Sequence, residues 1–194
     1  MSQEEDAMSE TEAGVQLPPA GSWAFDKNHT TIEFVARHML TKIRGHFNEY
    51  DGKVVIAERP EDSHVEVEIE TASIETKTDM RDEHLRSADF LEVEKYPKLT
   101  FKSTEVRPTE GGKFQIVGDL TIKDVTRQVV LDAEFWGSGP GPMPDSPPKA
   151  AFSASTEIDR EDWDITWNMA VEMGGMLVSK RVRLEIETEL DLQL

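Results

Sequence analysis

The amino-acid sequence predicts an all-β fold, an eight-stranded antiparallel barrel with a short helix and an irregular loop capping the mouth. Three observations lead to this prediction. Apolar residues occupy every second position along much of the chain, which places them on one face of successive strands. Turn-forming sequences separate about eight or nine such stretches, and one segment lacks the alternation. Because closure removes the sticky edges of a sheet, a barrel is favoured over a sandwich.

Four strands are predicted before residue 71. The alternation is strictest at 64–70, where Val65, Val67 and Ile69 alternate with glutamates, so one face is apolar and the other acidic. A longer stretch is expected to bend or break at Gly45 and Gly52, since glycine weakens a strand interior. The four predicted strands are 23–27, 29–39, 42–57 and 64–70.

Residues 79–91 break the alternation and predict a short helix. Met80, Leu85 and Ala88 have mixed helical spacing, and Asp79 is the predicted N-cap. A single helix between strands has to cover something, and the open end of a barrel is the expected place.

Five further strands are predicted after the helix. The last is the longest and must coil strongly, which indicates a tall, narrow barrel suited to an elongated hydrophobic molecule. Gly111-Gly112 is a predicted hairpin turn, and Lys123-Asp124 is another. The five predicted strands are 99–106, 114–122, 125–136, 150–158 and 178–192.

Two further segments also fall outside the alternating pattern. Residues 1–21 contain five acidic residues and no Lys or Arg, which predicts a disordered acidic tail ahead of one domain at 22–194. Residues 137–148 contain five of the ten prolines. We interpret them as a Pro/Gly-rich loop insertion between two strands, because the roughly 46 residues that follow are too few for a usual domain.

The composition excludes several classes of function. A net charge of −18 argues against binding to nucleic acid and to anionic membrane surfaces. We interpret the acidity as a solvated, solubilising face. With no cysteine, disulfides, thiolate catalysis and Cys-ligated metals are excluded. The chain contains no apolar run of membrane-spanning length and opens without a basic, apolar leader, so we expect no stable membrane insertion and a cytoplasmic location.

An ordered series of motifs covers residues 23–192. In order, the motifs are 26–34 (DKNHTTIEF), 37–39 (RHM), 44–47 (RGHF), 72–76 (ASIET), 81–90 (RDEHLRSADF), Tyr96-Pro97, Thr100-Phe101, 118–122 (GDLTI) and Val125-Thr126. Together they resemble the YceI-like family. The resemblance implies a lipocalin-like eight-stranded barrel that binds a polyisoprenoid lipid, such as an isoprenoid quinone or a prenyl lipid. It also implies a homodimer, although no residue pattern fixes an interface.

The chain departs from the family pattern at one loop. The family often has Arg-x-Asp-Phe-Gly, whereas this chain has Arg160-Glu161-Asp162-Trp163-Asp164. If that loop lies at the rim of the cavity, the larger Trp163 changes the length or the entry geometry of the ligand.

The inward-facing apolar residues are the predicted ligand-binding set, and no cofactor or metal is expected. A small barrel can also fill itself with such side chains, so the residues alone leave a packed core as the alternative. With the resemblance, a ligand cavity becomes the first hypothesis. The predicted binding residues are Phe34, Ala36, Phe47, Val67, Ile69, Phe90, Phe101, Ile116, Leu131, Phe135, Phe152, Trp163 and Trp167.

Catalysis has little support in the sequence. No HExxH, GxSxG or phosphate-binding glycine motif is present. His38 and His84 are expected to satisfy buried hydrogen bonds near a barrel end, and ion pairs of Arg81, Asp82 and Arg86 to orient the helix. The open alternatives are an enzyme that uses His38 or His84 as a base on a hydrophobic substrate, and an acidic interaction module for a basic partner.

Overall fold

The computed structural model describes residues 17–172 and 174–193, which form eleven strands and one α-helix. Residues 1–16, most of the predicted acidic tail, lie outside the described residues, as do Met173 and Leu194. The strands are β1 (Gly21–Phe25), β2 (Thr31–His38), β3 (Thr41–Phe47), β4 (Tyr50–Ile56), β5 (His64–Glu70), β6 (Ile74–Glu75), β7 (Lys98–Pro108), β8 (Lys113–Ile122), β9 (Val125–Gly139), β10 (Lys149–Asp159) and β11 (Val178–Gln193).

These strands close into an eight-stranded antiparallel barrel, which confirms the predicted fold class. β1 and β2 both pair with β11, one after the other along its length. β4 pairs with β1 and β3 pairs with β2, so β3 and β4 together occupy the next position of the barrel. β5 pairs with β4 and β6 pairs with β3, so β5 and β6 together occupy the position after that. The remaining strands pair with their neighbours in chain order, and the pairing of β1 with β11 closes the barrel. Each strand except the two-residue β6, which pairs only with β3, therefore has a partner on both sides.

The long predicted strand at 42–57 is interrupted at Asn48 and Glu49 rather than at a glycine. Gly45 instead lies beneath an aromatic ring, because a Cβ there would be 2.4 Å from Cζ of Phe34 on the paired strand. The short strand β6 was missed, since two residues carry no detectable alternation.

The helix α1 is shorter than predicted and spans Asp79–Arg86. Its N-cap residue is Thr78, so Asp79 lies inside the first turn, where a carboxylate still favours the helix dipole. The helix ends where the backbone N–H and the hydroxyl of Ser87 both donate to the carbonyl of His84. These bonds replace the next helical turn.

Two predicted segment boundaries need correction. Residues 17–21 belong to the barrel and not to the tail, because Leu17 is 4% exposed and Gly21 begins β1. The predicted loop 137–148 begins only at Pro140, since β9 continues to Gly139. Residues 137–139 contain no proline, so nothing removes their ladder hydrogen bonds. Both predicted hairpin turns are present, with positive φ at Gly111, Gly112 and Lys123.

Candidate functional site

The interior of the barrel contains a cavity of about 230 Å³. Inward-facing side chains such as Val67, Ile116, Leu131 and Leu184 are only partly buried, although they point away from solvent. A filled core would cover them completely, since protein interiors pack with few voids larger than a water molecule. The structure therefore favours the hollow barrel over the packed core.

The wall of this cavity is almost entirely hydrocarbon. Among the described residues, Ser63, His64, Ser153 and Thr188 are the polar side chains of the lining, and no Asp, Glu, Lys or Arg contributes to it. Such a wall offers dispersion and burial to a ligand but very few hydrogen bonds. An apolar chain fits this environment, whereas a charged group would lose its hydration without a partner.

Seven of the thirteen predicted binding residues line the cavity. They are Phe47, Val67, Ile69, Phe101, Ile116, Leu131 and Phe152. The other six lie elsewhere in the fold, and they are Phe34, Ala36, Phe90, Phe135, Trp163 and Trp167. A period of two assigns a side chain to a face of a strand but does not give its height along the barrel, so residues at the two ends could not be separated from residues of the wall.

The helix and the loop that follows β10 cap one end of the barrel, hereafter the helix end. Trp163 is 2% exposed, and its Nε1 donates to the carbonyl of Leu120 at 3.1 Å. Asp164 adopts φ +57, the left-handed conformation that glycine takes without strain. Asp164, which replaces the glycine of the family motif, therefore keeps the turn, and the indole of Trp163 fills the space beneath it.

Aromatic rings extend this cap towards the helix. His84 meets the rings of Phe90 and Trp167 edge-on, with centroids 5.0 and 4.6 Å away, and its Nε2 donates a hydrogen bond at 2.8 Å to the carboxylate of Asp89. His84 is partly exposed, which differs from the predicted buried position. Its partner Asp89 lies just after α1, so His84 joins the helix to the following turn rather than facing the cavity.

The predicted ion pairs of the helix are replaced by hydrogen bonds to one strand end. Asp82 is buried and accepts from the backbone N–H and the hydroxyl of Thr76 at 2.8 and 2.5 Å. Arg81 donates to the hydroxyl and carbonyl of Thr76, and Arg86 donates to the carbonyls of Ala72 and Ile74. These bonds fix the helix to β6, which preserves the orienting role that the sequence suggested.

The opposite end of the cavity is bounded by two segments that sequence reasoning missed. Leu17 and Pro18, just ahead of β1, line the cavity together with Pro60, Ser63 and His64 from the β4–β5 connection. Leu17 is buried in a cluster at this end that includes Trp23, Ile56 and Leu190. The available signal was the pair of apolar residues that closes an otherwise acidic stretch.

A cluster of charged groups ties four strand ends together beside the barrel. The ammonium of Lys149 lies 2.5 Å from Asp26, 2.8 Å from Asp191 and 3.7 Å from Glu189. Lys149 and His29 hold the pKa of Asp26 well below its usual value, and Asp191 and Asp26 raise the pKa of Lys149. The hydrogen bond to Asp26 likewise raises the pKa of His29.

This cluster contains the groups of a conceivable metal site, but a cation already belongs to it. Ligand atoms of Asp26, His29 and Glu189 lie within 4.8 Å of one another. The ammonium of Lys149 already forms an ion pair with the carboxylate of Asp26, so a metal ion would have to displace Lys149 from that carboxylate. We interpret the cluster as an electrostatic clamp between β1, β2, β10 and β11.

The two candidate catalytic histidines lie apart from the cavity wall. Neither His38 nor His84 lines the cavity, whereas His64 is exposed yet belongs to the lining at the end near Pro60. The geometry therefore places no predicted base against a substrate inside the barrel. Among the described residues, no helix is long and hydrophobic enough to cross a bilayer.

The fold and the cavity together define a class, a lipocalin-like barrel with a hollow apolar interior. The chain belongs to the YceI-like family, whose domain model matches residues 23–190. A UPF0312 protein of Ectopseudomonas mendocina is 40% identical over 151 residues, which cover 76% of this chain and 78% of that protein.

Solved structures show the same barrel. The Campylobacter jejuni YCEI protein is 28% identical with a TM-score of 0.70, over 81% of this chain and 90% of that one. A polyisoprenoid binding domain from Saccharophagus degradans, implicated in plant cell wall breakdown, is 12% identical with a TM-score of 0.64, over 88% of this chain and 98% of that one. At this identity, the similarity to the Saccharophagus degradans domain shows a shared fold alone.

Proposed function

We propose that the protein binds a polyisoprenoid lipid, the tail of a quinone or a prenyl lipid, inside its barrel and transports or sequesters it without catalysing a reaction. The observation that carries this proposal is the continuous hydrocarbon wall, which lacks any charged residue in the described part of the chain. The polyisoprenoid binding domain with the same fold supports the class of ligand.

Burial of hydrocarbon is sufficient to hold such a ligand. Each buried CH₂ contributes about 0.8 kcal/mol, so one five-carbon isoprenoid unit contributes roughly 4 kcal/mol at most. Affinity therefore grows with the number of units that the cavity encloses, and polar recognition is unnecessary. This explains why a wall with four polar side chains among its lining residues suits the proposed ligand.

The size of the cavity requires some movement for a long tail. At about 230 Å³ it lies below the usual range for sites that enclose drug-sized ligands, roughly 300–1,000 Å³. The sequence predicts that the helix and an irregular loop cap the mouth of the barrel. The contacts favour movement at the other end, because several side-chain hydrogen bonds hold the cap, whereas Leu17 and Pro18 belong to no strand.

The first test is to identify the lipid that the protein carries. Protein purified from its own host is extracted with organic solvent, and the extract is analysed by mass spectrometry. We expect a stoichiometric polyisoprenoid. A folded, unmutated protein that yields no lipid in this extract and retains no added polyisoprenoid would contradict the proposal.

A pair of neighbouring substitutions tests the cavity directly. Leu131 points into the cavity and Val130 points outwards on the same strand, so Leu131→Asp places a charge in the wall and Val130→Asp places it in solvent. We expect lipid retention to be lost in the first variant and kept in the second. Leu131→Trp, which fills the cavity without a charge, separates loss of space from loss of folding. Circular dichroism of each variant checks the fold.

The cytoplasmic location and the homodimer belong to the same proposal. Fractionation of host cells tests the location, and sedimentation velocity of the purified chain tests the dimer. Recovery in a membrane or exported fraction would contradict the first, and a monomer at micromolar concentration would contradict the second.

A further inference from the structure

Large apolar side chains stand exposed in three segments at the helix end of the barrel. Met39 and Leu40 form the two-residue turn between β2 and β3, and Leu40 is 74% exposed. Met80 lies in the first turn of α1 and is 81% exposed, and Met169 and Met176 project from the loop that precedes β11. We call these five side chains the apolar rim.

Backbone hydrogen bonds join two of the three rim segments into one surface. The N–H of Met39 donates to the carbonyl of Leu177 at 2.8 Å, and the N–H of Leu177 donates to the carbonyl of Met169 at 2.8 Å. A bridge between Ala170 and Met176 closes the loop on itself. The exposed side chains are therefore held at the end of the barrel by regular backbone contacts.

The turn at the centre of the rim breaks the usual rules for a hairpin. Met39 has φ +51, a conformation that favours glycine or asparagine, and Leu40 next to it exposes most of its side chain. A turn of this kind stores strain and leaves hydrocarbon in water. Both costs have a functional reason if the turn meets an apolar partner.

Directly behind the turn lies a pair of like charges. Arg37 and Lys42 are opposite each other on β2 and β3, an arrangement that repulsion disfavours. In the described ranges, 17–172 and 174–193, no carboxylate lies within ion-pair distance of either one, although the chain has 39 acidic and 21 basic residues. A phosphate group between them would relieve the repulsion. Among the described residues, the first turn of α1 contains Asp79 and the buried Asp82, and the loop that precedes β11 contains Asp164 and Glu172.

We propose that the apolar rim docks reversibly on a phospholipid surface. Met39, Leu40 and the other rim side chains enter the boundary between headgroups and acyl chains, while Arg37 and Lys42 lie at the level of the phosphates. Hydrocarbon carries the binding, because the net charge of −18 repels an anionic surface. The docking adds a partner surface to the proposed carrier and is testable whether or not the cavity holds a lipid.

The test uses the fact that the chain contains no cysteine. Leu40→Cys and, as a matched control, Met143→Cys each introduce a single thiol for an environment-sensitive fluorophore. Met143 is 70% exposed and lies in the loop at the opposite end. With phosphatidylcholine vesicles, we expect a blue shift of the label at position 40 and none at position 143.

Vesicle flotation of the full chain gives the size of the effect. Leu40→Asp is expected to lower the bound fraction at least about tenfold, because the turn loses about three hydrocarbon carbons and gains a charge. Met143→Asp is expected to leave it unchanged. Replacing part of the phosphatidylcholine by phosphatidylglycerol is not expected to restore binding of the Leu40 variant. Both substitutions lie on exposed turns, so the fold is preserved.

Three results would overturn the docking proposal. The first is failure of the unmutated chain to float with either vesicle. The second is an equal loss of binding in the Leu40→Asp and Met143→Asp variants. The third is a concentration-dependent dimer that only Leu40→Asp abolishes, because the rim would then be a contact between two copies of the chain. Lipid extracted from the same preparations decides the cargo separately. A chain that carries lipid but does not float refutes docking alone, and one that floats without cargo refutes the proposed function alone.

Discussion

Shortening Leu17 is expected to speed exchange of a bound lipid without unfolding the barrel. Leu17 is 4% exposed and closes the end of the cavity away from the helix. Leu17→Ala removes three buried carbons, worth about 2.4 kcal/mol at about 0.8 kcal/mol each. Since about 1.4 kcal/mol corresponds to a factor of ten, the displaced state of this segment gains roughly 50-fold in population.

The loss stays local because the segment contributes little to the barrel itself. Among the described residues, a single side-chain hydrogen bond ties the segment ahead of β1 to the barrel, from Trp23 Nε1 to the carbonyl of Pro19 at 3.3 Å. If ligand leaves at this end, the release rate rises in proportion to the displaced population, up to about 50-fold. The unfolding midpoint of the barrel should change little.

The assay measures release of a fluorescent polyisoprenoid from the loaded protein into an excess of acceptor vesicles by stopped flow. Trp163→Phe is the matched comparison at the helix end, since it keeps an apolar ring but removes the hydrogen bond to Leu120. Unchanged release in Leu17→Ala, together with faster release in Trp163→Phe, would refute this reasoning and place the gate at the cap.

Two further substitutions test the packing and the charge cluster. Gly45→Ala brings a Cβ to 2.4 Å from Cζ of Phe34, so we expect the free energy of unfolding to fall by about 1–3 kcal/mol and the melting temperature by about 3–10 °C. A Cβ at Gly139 has no atom within 4 Å, so Gly139→Ala should match the unmutated protein in thermal denaturation. Asp26→Asn removes the charged acceptor of Lys149, so we expect a loss of about 1.5–3 kcal/mol at pH 7 in urea unfolding. Because the folded pKa of Asp26 lies below its ordinary value of 3.8, its contribution is complete above that value and is lost as the pH falls below it. The difference between the two proteins should therefore shrink towards pH 2, and a constant difference would contradict the clamp.

Local pattern was a reliable guide wherever one strand or turn decides the structure. The alternation at His64–Glu70 gave both bounds of β5, and the glycine pair 111–112 marked its turn. The number of strands favoured a closed barrel, and motif resemblance added the expected ligand cavity. Local pattern was less reliable at Gly45. This glycine makes room for the ring of Phe34 on the paired strand and does not break its own strand. No local pattern distinguishes these two reasons for a glycine.

The sequence by itself determined the strands, the order of their faces and the capping helix, because periodicity and turn chemistry act between neighbours in the chain. Tertiary structure alone decided that the interior stays hollow, and that Leu17 and Pro18 close one end while Trp163 closes the other. It also placed the exposed side chains of the apolar rim at the helix end, apart from Met143 at the opposite end. Those properties depend on how far the strands tilt and stagger when the sheet closes. Tilt and stagger set the height of each side chain along the barrel, and residues distant in sequence meet only once that height is fixed.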